Sequence, residues 1–205
     1  MGGKKEKRMA GSYEITQAVH IGSKEIVFGV DETKEMPYFC GFYTSNALFG
    51  AYEDCMVCDD YVEAVELFAE SIRGQCAKIR SEREEVTVPG GKITAEMCLP
   101  LKGDSELKEK VAAVRLESLR PEYRSLEHQL VYVYGGNGTR GGARGSACFC
   151  ITLYDGSRTR WERYDLQGEV RTECIPQWAK EKAAEILRQR VEEKNKNTAG
   201  RKETR

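Results

Sequence analysis

The chain has 205 residues, with 32 Lys and Arg against 33 Asp and Glu, 40 % hydrophobic residues and eight cysteines. That length allows one large domain or two small ones, and no apolar run approaches the roughly 18 residues that span a bilayer. The charged start Met1-Gly2-Gly3-Lys4-Lys5 is followed by no apolar signal-peptide core, so a cytoplasmic protein with free thiols and no membrane partner is expected.

The near-neutral total hides an asymmetry. Residues 1–11 carry a net +3, residues 12–129 a net −9, residues 130–178 a net +1 and residues 179–205 a net +4. An acidic body with basic ends is the result, although charged ends also serve solubility alone.

In chain order, Tyr13–Ile21 and Lys24–Val30 alternate and are split by Gly22-Ser23, which predicts a hairpin. Tyr38 to Tyr43 reads as a third, more buried strand. Asp60 with Glu63 gives an Asp-x-x-Glu start to a helix whose expected core face is Val62, Val65, Phe68, Ala69, Ile72, Cys76 and Ile79. A turn at Pro89-Gly90-Gly91 leads to the strand-like Ile93–Leu99, and Pro100 to Gly103 marks the expected boundary between two halves. Ser105 then starts a second predicted helix, with Leu107, Val111, Val114 and Leu119 on its apolar side and Pro121 at its end. A third helix begins near Pro176 and buries Trp178, Ala179, Ala183, Ile186, Leu187 and Val191.

The expected organisation is a disordered basic tail over 1–11 and an N-terminal α+β lobe over 12–100. A C-terminal α+β lobe follows over 101–194, then a disordered tail over 195–205. The fold class is α+β, with antiparallel sheet packed against about three helices.

The densest signal lies between Leu130 and Val170. Two strand-like runs flank the glycine- and arginine-rich loop 135–145, and Arg140, Arg144, Arg158, Arg160 and Arg163 are interleaved with Tyr132, Tyr134, Trp161 and Tyr164. Guanidinium groups fork onto phosphate or carboxylate, and aromatics stack on bases. On an extended segment Arg158 and Arg160 share one side with Glu162, while Thr159, Trp161 and Arg163 share the other. The competing account is a surface strand whose arginines pair with Glu162, Asp165 and Glu169, and the two carry equal weight at this level.

Other motifs explain less. Gly136-Asn137-Gly138-Thr139-Arg140-Gly141 fits Gly-x-Gly-x-x-Gly, but a strand-like run follows where a dinucleotide fold needs a helix. A flexible hairpin loop is the preferred account. Cys55-x-x-Cys58 with Cys148-x-Cys150 lacks the repeated spacing of a zinc site, so core packing is preferred and neither metal nor cofactor is expected. His20 and His128 lie near no evident nucleophile and read as structural.

Tyr13-Glu14-Ile15-Thr16-Gln17, Asp59 to Glu70, and the stretches around Gly142 to Gly145 and Thr159 to Gly168 together resemble small accessory proteins of plasmids, phages and conjugative elements of gut Firmicutes. Some proteins of that setting are anti-CRISPR or antirestriction factors. The resemblance implies a non-enzymatic inhibitor or modulator of a host defence nuclease or other nucleoprotein complex, with DNA or RNA as a further partner. Its binding residues would be Arg140, Arg144, Arg158, Arg160, Arg163 and Trp161. An enzyme acting on a nucleotide or nucleic acid, with the glycine loop holding phosphate, is the alternative from another class.

Overall fold

A computed structural model describes residues 7–45 and 49–203, with side chains as far as Glu193. The fold is α+β. Among the described residues, eleven strands form two antiparallel sheets accompanied by three α-helices. The chain divides into two compact units, residues 1–87 and 88–205.

Unit 1 is a meander in which each strand pairs with the next: β1 (Met9–Ala10), β2 (Tyr13–Ile21), β3 (Lys24–Val30), β4 (Tyr38–Ser45) and β5 (Gly50–Cys58). Helix α1 (Tyr61–Glu84) covers one face, where Ile26, Phe28, Cys40, Ala64 and Phe68 make a core. Its start is as the sequence predicts, because the Asp60 carboxylate accepts a 2.8 Å hydrogen bond from the Glu63 N–H. The buried stripe differs from the expected one. Ala64, Phe68, Gln75 and Ile79 face inward, whereas Val62 is 63 % exposed and Val65 38 %.

The opposite face of this sheet has a smaller core of Ala10, Val27 and Phe39 under Tyr13, Ile15, Tyr43 and Tyr52. Here the expected basic tail proves to be ordered from Lys7 onward. Ala10 is buried, Ile15 N–H donates to Arg8 O at 2.8 Å, and the Arg8 guanidinium bonds Glu25 at 2.7 Å while lying 4.3 Å above the Tyr43 ring. Burial beside aromatics and an acid outweighs the polar composition of residues 7–11. Residues 1–6 lie outside those described.

Unit 2 contains β6 (Cys98–Pro100), β7 (Lys110–Val114), β8 (Leu130–Gly135), β9 (Ala147–Thr152), β10 (Arg158–Glu162) and β11 (Leu166–Val170), in the spatial order β10-β9-β8-β7-β11-β6. Only Arg163–Asp165, one 3₁₀ turn, joins β10 to β11. Four peptide steps reach at most about 15 Å, whereas four strand spacings across a flat sheet need about 19 Å. The sheet must therefore curl. Val131, Val133, Cys148, Cys150, Ala112, Val114 and Leu166 fill the concave side, with Trp161 packed against them. The other side, with Leu130, Tyr132, Ile151 and Val170, is covered by helix α3 (Gln177–Glu203) through Ala179 and Ile186.

Three expectations for this unit need correcting. The chain divides after Thr87, ahead of Pro100 to Gly103, because β6 is bound into the second sheet by its pairing with β11. The segment 105–119 holds strand β7 in place of a helix, and the short helix α2 (Leu126–Gln129) lies beyond Pro121. Burial of Ala112, Ala113 and Val114 on both faces of the sheet overrides the helical spacing. Finally, the backbone of α3 continues through Glu203, past the expected disorder from Asn195. Extending a formed helix adds one hydrogen bond per residue, and the Lys-, Glu- and Arg-rich sequence contains no proline.

Candidate functional site

The arginine-bearing segment sits at the edge of the curled sheet. On β10, Arg158 stands opposite Ile151, Arg160 opposite Phe149 and Trp161 opposite Cys148. Arg158 and Arg160 thus project from the convex side, and Trp161 turns into the concave core. The core packed under α3 includes no residue of β10, which leaves both arginines in solvent.

Trp161 and Arg163 were expected to bind a partner, and both are occupied by the fold. Trp161 packs against the buried cysteines and valines. Arg163 donates to three backbone carbonyls: Gly138 at 2.8 Å, Ser105 at 2.9 Å and Lys102 at 3.1 Å. Its guanidinium ties the glycine loop to the segment that leads into β7.

The glycine loop, expected as a flexible hairpin, begins with a hydrogen-bonded turn. Asn137–Thr139 forms a 3₁₀ turn, closed by the Thr139 hydroxyl donating to Gly136 O. Gly136 has φ +100°, and a Cβ there would lie 2.2 Å from Ala147 O; a Cβ on Gly141 would lie 1.5 Å from Gly103 O. These glycines permit close backbone passage. The Gly-x-Gly-x-x-Gly pattern has a steric explanation in this chain.

Arg140 and Arg144 project from that loop, and both are exposed. Arg140 lies 3.6 Å from Glu106, a loose pair between two exposed side chains. Arg160 pairs with Glu162, which also accepts the Ser146 hydroxyl. Arg144, Arg158 and Lys108 have no ion pair among the described residues. Exposed pairs of this kind contribute about 0–1 kcal/mol, so both arginines exchange readily onto a stronger anion.

The structure adds residues that sequence reasoning missed. Phe149 is 42 % exposed on β9, between the inward Cys148 and Cys150, and its ring stacks on Tyr134 with centroids 6.2 Å apart. The Arg190 guanidinium of α3 lies 4.3 Å from the Tyr134 ring centroid. Lys108 and Phe149 flank a cleft of about 470 Å³ beside the loop. The alternation Cys148-Phe149-Cys150 held the signal for Phe149, because two small inward residues place the large one outward. Nothing local marks Lys108 or Arg190. No family model, curated protein or solved structure matches the chain. Function therefore rests on these side chains.

The titratable clusters elsewhere have structural explanations. Ser125 Oγ donates to Glu127 at 2.5 Å and lies 3.1 Å from His128 Nδ1, a nitrogen also 3.3 Å from Glu127. A catalytic relay places nucleophile and acid on opposite ring nitrogens. Here both meet the same one, so the group is a local network at the start of α2. His20 Nε2 lies 3.1 Å from Gly22 O, inside its own hairpin. Burial raises the thiols of Cys148 and Cys150, the latter pushed up to about 12, which keeps them protonated and poor as nucleophiles. Among the described residues, no group of three or more His, Cys, Asp or Glu side chains is arranged to hold a metal.

Proposed function

We propose that this chain is a binding protein that engages a nucleoprotein machine, of the kind represented by a host defence nuclease, through the basic face of unit 2. The observation that carries this reading is the placement of the exposed Arg158 and Arg160 beside the exposed Phe149, on β10 and β9, with no residue of β10 in the core under α3 among the described residues. Arginines with an aromatic partner are enriched at interfaces and at phosphate contacts. Charge supports the same reading: unit 2 has 22 basic and 17 acidic residues, a net +5, against −6 in unit 1. The resemblance to accessory proteins of mobile elements points to the same class of partner.

Affinity capture from a bacterial lysate, with and without nuclease treatment, tests it. Wild type should retain a nuclease complex, and the triple variant Arg140→Ala, Arg144→Ala, Arg160→Ala should lose it with an unchanged melting temperature. Equal retention by the triple variant would refute the assignment of this face.

A further inference from the structure

The cleft beside the glycine loop is lined by Lys108, Gly135, Gly136, Asn137, Arg140 and Phe149, among others. We infer that it holds one unpaired nucleotide of a single-stranded nucleic acid, with the base stacked on Phe149 and the phosphate between Lys108 and Arg140. This deepens the reading above and rests on it.

The ring is the first reason. Phe149 is 42 % exposed, while its neighbours Cys148 and Cys150 turn inward to the core. Tyr134 supports it at 28° between planes, and Arg190 in turn packs on Tyr134, so the ring is held in place before any ligand arrives. A pre-formed aromatic surface loses little freedom on stacking a base. The second reason is charge. Lys108 is exposed without an ion pair among the described residues, and Arg140 is held only by the loose contact with Glu106. A phosphate would take both in charge-assisted hydrogen bonds.

The third reason is shape. About 470 Å³ lies within the range of small-ligand clefts, roughly 300–1,000 Å³, and matches one nucleotide better than a helix. Paired bases have their faces covered by stacking, so Phe149 can meet only an unpaired one. Asn137 is exposed at the rim, and its carboxamide, with no hydrogen bond among the described residues, offers both a donor and acceptor to a base edge. Free phosphate would satisfy the cations and leave the ring without a role. A purely apolar ligand would do the reverse.

Fluorescence anisotropy on the full chain, with labelled oligothymidylate, oligouridylate and a duplex of the same length, tests the proposal over a series of salt concentrations. Single strands should bind more tightly than duplex, and the two oligomers show whether DNA or RNA is preferred. Phe149→Ala should weaken single-strand binding about 5- to 150-fold with an unchanged salt slope, and Phe149→Trp should retain it. Lys108→Gln with Arg140→Gln should lower the slope by about 0.7, the value for the one phosphate that the two cations share. Thermal melting checks that each variant remains folded. Wild-type affinity in Phe149→Ala, preference for duplex, or no binding of either oligomer by wild type would overturn the nucleotide site. The capture experiment separates the two readings, because a partner retained after nuclease treatment and lost in the arginine variant would uphold the face while the nucleotide site fails.

Discussion

Arg163 and Arg144 look alike in the sequence, yet one is part of the fold and the other is exposed. Arg163 reaches carbonyls 25, 58 and 61 residues away, distances over which no local pattern operates. Truncating it leaves three carbonyls without their charged donor. Arg163→Ala should cost about 2–4 kcal/mol in urea denaturation, whereas Arg144→Ala and Arg158→Ala should stay within about 0.5 kcal/mol. Comparable losses in all three would mean that the carbonyl clamp contributes little. The arginines were legible as a set, and their separation into clamp and surface required the chain path. The same holds for Trp161, whose orientation follows from pairing opposite the buried Cys148. Only the alternation of Arg158 and Arg160 could be read directly, since strand geometry fixes it.

At the level of elements, legibility followed how local the decisive contact is. The Asp60 cap needs only its own helix, and the hairpin at Gly22-Ser23 only its two strands, so both were readable. Strand β5 was not, because it lies at the sheet edge, is mostly exposed and contains a bulge where Asp54 has φ +49°. With both of its faces mostly exposed, β5 carries no apolar alternation to detect. Strand β7 was masked by helical spacing, and its pairing with β8 and β11 decides its conformation. Strand β1 was hidden by charge. It is held at Ala10 by burial and, through the preceding Arg8, by Glu25 and Tyr43. Placing a carboxylate in that buried site should be costly, so Ala10→Asp should destabilise unit 1 by about 2–4 kcal/mol, read as a lower melting temperature. An unchanged melting curve would show that the strand is not docked in solution.

On the scale of the molecule, each unit has hydrophobic cores built, among the described residues, from its own side chains. Fragments 1–87 and 88–205 should each unfold cooperatively when expressed alone, as circular dichroism against urea would report. Oligonucleotide affinity should remain with 88–205, which carries the positive net charge. A fragment without a cooperative transition would contradict this independence. The two sheets also impose different timetables during synthesis. In unit 1 every strand pairs with its immediate neighbour along the chain, so each can dock as soon as it is made. In unit 2, Cys98 of β6 waits for Val170 of β11, and at about 5–20 residues per second that delay lasts several seconds on the ribosome. During that interval β6 lacks its partner, and β7 has only β8. The nascent N-terminal half can be complete while the sheet that carries the arginines is still open, leaving that half-made sheet as the stage most exposed to aggregation and to chaperones.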